Sequence, residues 1–105
     1  MAQYAKFIKA AMSGVQFGVI PGLKLDREEA YCITHSPNGN YIIIGLRGEI
    51  AIFEKHSSYG FREVRRLKGG GHVGEITSCS FSMDGYYFIT GGEDRTVRVW
   101  LFETE

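Results

Sequence analysis

The chain repeats itself, and the period of the repeat limits what it can fold into. Ser36-Pro37-Asn38-Gly39-Asn40-Tyr41-Ile42-Ile43 lines up with Ser82-Met83-Asp84-Gly85-Tyr86-Tyr87-Phe88-Ile89 at an offset of 46 residues. Further on, Ile50-Ala51-Ile52-Phe53 lines up with Val97-Arg98-Val99-Trp100 at an offset of 47, so the second turn of the first copy is one residue shorter. Within each copy apolar residues form short runs bounded by Gly, Pro, Asn, Asp and Ser. That is the pattern of strands joined by tight turns.

The first copy predicts four strands, over 30–36, 41–46, 49–53 and 61–67. The second predicts three, over 76–81, 86–90 and 96–102, with turns at Met83-Asp84-Gly85 and from Gly91 to Arg95. A period in the mid-forties with three or four short strands per unit implies blades of a β-propeller. The expected fold is therefore all-β, with one complete blade and three strands of the next. Residues 1–12 differ: Tyr4, Phe7, Ile8 and Ala11 recur at helical spacing and Ser13-Gly14 follows as a stop, so a short amphipathic helix is expected there. Its stripe suits packing better than membrane anchoring, although Lys6 and Lys9 keep the second reading open. Val15, Phe17 and Val19 alternate before Pro21-Gly22. The expected organisation is an N-terminal helix, strand and connection over 1–29, a degenerate blade over 30–68, and a blade lacking its outer strand over 69–105.

The second copy resembles the WD40 family. Gly71-His72 stands for that family's Gly-His pair and Phe81-Ser82-Met83-Asp84-Gly85 for its strand-ending turn. Ile89-Thr90-Gly91-Gly92-Glu93-Asp94-Arg95-Thr96-Val97-Arg98-Val99-Trp100 covers the remainder. Leu101 stands where the family usually has an acidic residue. The resemblance implies a structural tetrad of His72, Thr90, Asp94 and Trp100, with the histidine bonded to the hydroxyl, the hydroxyl to the carboxylate, and the network ending at the indole N–H. Each polar group would be costly alone inside a blade, and together they satisfy one another. His, Asp and Thr also suggest a catalytic triad, but a network that ends on a Trp donor suits structure. The first copy lacks it: Phe53 replaces the Trp, Ile44 the hydroxyl, and the Asp position falls in the shortened turn.

As a family, WD40 propellers are rigid platforms that bind other proteins and occasionally nucleic acid. Their loop faces imply partner-binding candidates here: Arg47, Gly74, Glu75, Glu93 and Arg95, with ordinary solvated turn charge as the plainer account of each. The run Arg62, Arg65, Arg66 and Lys68 suits protection of an edge strand better than contact with RNA phosphate. Twelve acidic residues balance twelve basic ones, so net charge supplies no nucleic-acid footprint. Cys32 and Cys79 have no CxxC spacing and read as small core residues in a reducing compartment, with a disulfide or metal role the lesser reading. No cofactor, metal site or enzyme activity is expected, since no phosphate-cradling loop, metal-spaced cluster or nucleophile with its base occurs. No run is apolar enough to span a membrane, and no convincing signal peptide is present, so the expected location is intracellular, in the nucleus, nucleolus or cytoplasm.

Propellers close with several blades, so completion by further blades, from a longer protein or by self-association, is expected. The leading expectation is a scaffold subunit of a multisubunit assembly, ribosome small-subunit assembly first. The alternative is a stand-alone adaptor that recognises short peptides in signalling or ubiquitin-ligase complexes.

Overall fold

Two turns of the same chemistry recur in the two halves of the fold. The Ser36 hydroxyl donates to Asn38 Oδ1 (2.6 Å) and accepts the Tyr41 amide (3.0 Å), while Asn38 Oδ1 also accepts the Asn40 amide (2.9 Å). Ser82, Asp84, Tyr86 and Tyr87 repeat these bonds at 2.6, 3.0 and 3.2 Å. Gly39 and Gly85 complete them with φ of 77° and 78°, a conformation that side chains disfavour. The repeated motif is thus a turn held by hydrogen bonds to its own side chains.

The computed structural model describes Leu25 and residues 28–56, 60–68 and 71–103. Seven strands follow in order: β1 (Cys32–His35), β2 (Tyr41–Gly45), β3 (Glu49–Lys55), β4 (Phe61–Lys68), β5 (Ile76–Phe81), β6 (Tyr87–Gly92) and β7 (Val97–Leu101). They form one antiparallel sheet of four strands, β1-β2-β3-β4, and one of three, β5-β6-β7. Each sheet carries a bulge, one where Ile52 pairs with Arg65 and Phe53 with Glu63, the other where Ile76 pairs with Gly92 and Ser78 with Gly91. The extra residues, Val64 and Thr77, bend and twist their strands.

The all-β architecture and the division into a complete blade and a three-stranded one are as the sequence implies. The helix expected over 1–12 and the alternation over 15–19 lie outside the described residues. Strand bounds shift by one or two residues: β3, expected to end at Phe53, runs on through Glu54 and Lys55, which pair with Arg62 and Phe61 of β4. Gly91-Gly92, expected in a turn, extends β6, because β5 pairs with both and the Glu93 amide continues the ladder to the Glu75 carbonyl (2.9 Å).

Strand alternation gives each sheet two faces. Ile43, Ile50 and Ile52 of the first sheet pack against Ile76 and Phe88 of the second, and this cluster joins the sheets. Burying a side chain of this size stabilises by about 1.5–3 kcal/mol. The opposite face of the first sheet carries a second buried cluster of Ile42, Ile44, Leu46, Ala51, Phe53 and Phe61, against which Leu25 packs. Between the sheets the backbone is also stapled. The Ile76 amide donates to the Leu46 carbonyl (3.0 Å) and the Gly48 amide to the Gly74 carbonyl (2.6 Å), with Arg47 bridged to Glu75.

Candidate functional site

Four polar residues meet inside the second sheet. His72 lies in the segment before β5, Thr90 on β6, Asp94 in the β6–β7 turn and Trp100 on β7. The Trp100 indole N–H donates to Thr90 Oγ1 (2.9 Å), and Thr90 Oγ1 lies 2.6 Å from His72 Nε2. His72 Nδ1 lies 3.0 and 3.2 Å from the two Asp94 oxygens. One proton arrangement, assigned from this network, satisfies every member: Nδ1–H donates to Asp94, and Nε2 accepts the Thr90 hydroxyl, which accepts the indole.

The wiring differs from the expected one in a single link. Asp94 binds the imidazole and not the Thr90 hydroxyl, because the turn that carries it sits beside Nδ1 while Thr90 lies on the Nε2 side. A fifth member, Thr96, escaped the sequence reading. Its hydroxyl donates to Asp94 Oδ1 (2.8 Å) and lies 3.1 Å from His72 Nδ1, and its amide reaches the same carboxylate oxygen (3.1 Å). The signal was present as Asp-x-Thr, a spacing at which a carboxylate caps its own turn.

The Val73 amide also donates to Asp94 (2.9 Å). The His72 bond foremost, then these amides and the Thr96 hydroxyl, hold the Asp94 carboxyl well below the usual carboxylate range. Close approach of backbone makes the pocket possible: a side chain at Gly92 would start 2.9 Å from the Glu75 carbonyl oxygen and 3.0 Å from His72 Nδ1. The His72 side chain has no exposed surface and Thr90 is buried. Both ring nitrogens are engaged and the hydroxyl is enclosed, so the four side chains bond one another across the blade.

The partner-binding candidates lie together on the same end of the sheets, mostly engaged with one another. Arg47 and Glu75 pair at 2.8 Å across the sheets. The Glu93 carboxylate accepts the Glu75 amide at 2.8 Å. Gly74, with φ of 85°, passes so close to Glu93 that an added Cβ would lie 2.6 Å from its Oε1. Arg95 is exposed in the β6–β7 turn at φ of 67°, the left-handed region.

The basic strand is also not a set of independent cations. Arg66 forks onto Glu63 (2.8 and 2.9 Å) and reaches Glu28 (2.7 Å) and Glu49 (3.0 Å). Arg66 lowers the Glu63 carboxyl, and the hydrogen bonds it donates to Glu63 and Glu28 raise its own already high value. Arg62 approaches Glu54 at 3.9 Å. Cys32 and Cys79, which the sequence placed in the core, are free thiols only partly buried, on the inner strands β1 and β5. Among the described residues no group of three His, Cys, Asp or Glu side chains could hold a metal ion, and no helix is long and apolar enough to cross a membrane.

Stacked antiparallel sheets and a His–Thr–Trp–Asp lock in one of them define a propeller blade pair, and known proteins agree. The chain belongs to the WD40-repeat family: residues 61–100 match the family described as WD domain, G-beta repeat. That unit straddles the two sheets, taking β4 from the first and β5 to β7 from the second. The chain is 29% identical over 87 residues to Periodic tryptophan protein 2 homolog of Mus musculus, covering 81% of this chain and 9% of that protein. It is 32% identical over 75 residues to Small ribosomal subunit protein RACK1 of Neurospora crassa, covering 68% and 23%. The crystal structure of Saccharomyces cerevisiae Sqt1 superposes with a TM-score of 0.62 at 22% identity, covering 73% of this chain and 21% of that one, a likeness of fold. The chain thus spans less than a quarter of each of these proteins.

Proposed function

We propose that this chain is a protein-binding scaffold, a piece of a WD40 propeller that is completed by further blades within a multisubunit assembly. One observation carries the reading. The repeat makes Ile89, Val97 and Val99 the counterparts of Ile43, Ile50 and Ile52. In the first sheet those positions are sealed under the second, at 0%, 1% and 6% exposure; in the second they stand open at 38%, 77% and 69%. A surface identical in pattern to one that already binds a blade is built to bind another.

The edge of β7 supports the same reading. Among the described residues it pairs only with β6, and beside it lies a cleft of about 650 Å³ walled by Ile52, Val64, Arg65, Trp100 and Leu101. An extended strand would fill the cleft and complete the ladder. Protein suits these surfaces better than RNA does, because the open face presents Ile89, Val97 and Val99 and Arg66 of the basic strand is already tied to three carboxylates.

Among assemblies we place the ribosomal small subunit first, in nucleus, nucleolus or cytoplasm, because a relative carries that name. Two measurements test the proposal. Light scattering on a size-exclusion column should show the isolated 105-residue chain self-associating, and Val99→Lys should reduce that association. A monodisperse wild-type monomer that binds no apolar dye would overturn the open-face reading. In cells, the tagged protein should sediment with small-subunit particles in a gradient; sedimentation in the free fraction alone would sink the ribosomal assignment.

A further inference from the structure

The chain has two cysteines, and the fold gives one to each blade's innermost strand. Cys32 lies on β1 and Cys79 on β5, strands that run close together where the sheets meet. Cys32 is held in place by its surroundings. Opposite it in the ladder is Gly45, and a Cβ there would lie 2.4 Å from the Cys32 sulfur, so the glycine makes the room that the sulfur occupies. Ile76 closes the same space from the second sheet. β1 and β5 run beside each other there, which brings the Cys32 and Cys79 thiols within reach of one another. Both remain free and partly exposed.

We propose that Cys32 and Cys79 are a redox-active pair, which a hydroperoxide oxidises to an intramolecular disulfide joining the inner strands of the two blades. The chemistry balances in two steps. The Cys32 thiolate attacks the peroxide, the O–O bond breaks, and Cys32 becomes a sulfenic acid as the peroxide leaves as alcohol or water. The Cys79 thiol then attacks that sulfur, the S–O bond breaks, and water leaves as the disulfide forms. Two thiols have lost two protons and two electrons, and one peroxide has been reduced.

The order of the steps follows from the thiols' surroundings. The Cys79 thiol, foremost, and the Gly45 amide donate to the Cys32 sulfur and lower its pKa, and the same Cys32 bond together with burial raises that of Cys79. Cys32 is thus the better nucleophile toward peroxide and Cys79 the resolving thiol. In the propeller such a bond would fasten two blades through their innermost strands.

Treatment of the native chain with hydrogen peroxide, followed by unreduced tryptic digestion and mass spectrometry, tests the pair. The expected product joins peptide 28–47 to peptide 69–95, each of which holds one cysteine, with an intact mass lower by two hydrogens. The oxidised chain should unfold at a temperature higher by about 10 °C, an increment that a reductant removes. Cys79→Ser should leave a sulfenic acid on Cys32 that a cyclic dione traps, and Cys32→Ser should trap far less. Independent oxidation of both cysteines to sulfinic acids, cross-links between chains, or two thiols still open to alkylation would overturn the proposal. None of these readings needs a variant to fold, since the wild-type peptide map decides by itself.

Discussion

Thr90→Val tests the polar lock most directly, because the new side chain keeps the shape and deletes only the hydroxyl. Two groups lose their partner: the Trp100 indole N–H, bonded at 2.9 Å, and His72 Nε2, at 2.6 Å. Leaving a buried polar group unpaired costs about 1–3 kcal/mol. The imidazole is fully enclosed and belongs near 2 kcal/mol on that scale, while the partly exposed indole can recruit water and belongs near 1. The added methyl returns about 0.8 kcal/mol. The net loss is about 2 kcal/mol, or a fall in unfolding temperature of about 8–16 °C. Thr90→Ser keeps the hydroxyl and loses a methyl, so it should cost about 1 kcal/mol. If apolar packing alone held the blade, the order would reverse and Val would be the better residue. Urea unfolding followed by circular dichroism and by the fluorescence of the single tryptophan measures both. A Thr90→Val loss under about 0.5 kcal/mol, or one smaller than that of Thr90→Ser, would refute the lock. In a Trp100→Phe background the Thr90→Val cost should shrink by about 1 kcal/mol, since one of the two groups it orphans is already gone.

Asp94→Asn should cost stability at neutral pH, and its difference from wild type should close in acid. The depressed Asp94 pKa stabilises above the ordinary carboxylate value and is lost as pH falls through and below about 4, which urea midpoints across that range would follow. Arg66→Met leaves Glu28, Glu49 and Glu63 without their common cation and should cost about 1–2 kcal/mol, shrinking in molar salt; an effect indifferent to salt would point to packing by the arginine stem. Gly45→Ala drives a methyl to within 2.9 Å of Ile76 Cγ2 as well as onto the Cys32 sulfur. It should destabilise by about 2–3 kcal/mol in thermal unfolding, against a gain if the position were merely permissive.

What could be read from the sequence, and what could not, divides along a physical line. Strands and turns were legible because their signals are local. Ser36-Pro37-Asn38-Gly39 and its counterpart carry both the donors and the glycine that their turns need, and they lie on the page in order. The tetrad's members were legible through the resemblance, but its wiring was not. Whether Asp94 meets an imidazole or a hydroxyl depends on how a segment 22 residues earlier is placed beside the turn. Nor could charge alone foretell that Arg47 would reach Glu75 or that Arg66 would gather Glu28 and Glu49, since those pairs span 28, 38 and 17 residues. That Cys32 and Cys79 lie on neighbouring strands was hidden for the same reason. Spacing along the chain carries no information about two strands that become neighbours only when sheets stack.

The two blades show why one can do without the lock. At the place of Thr90 the first blade has Ile44, and at the place of Trp100 it has Phe53, both nearly free of solvent. An apolar pair there needs no partner atoms, only cover, and that face carries a continuous cluster from Ile42 to Phe61. The second blade sets polar groups at the same depth, where dispersion alone would leave them costly, and uses their mutual bonds to fix the β6–β7 turn against the segment entering β5. The cluster is non-directional and tolerates small movements of its side chains; the lock is directional and does not. A blade whose far face lies open gains most from the second device, because its strands must hold their shape before anything packs on Ile89, Val97 and Val99. The degenerate blade and the locked one thus answer different demands from a single repeat: one sheet is covered on both faces, the other is open over Ile89, Val97 and Val99.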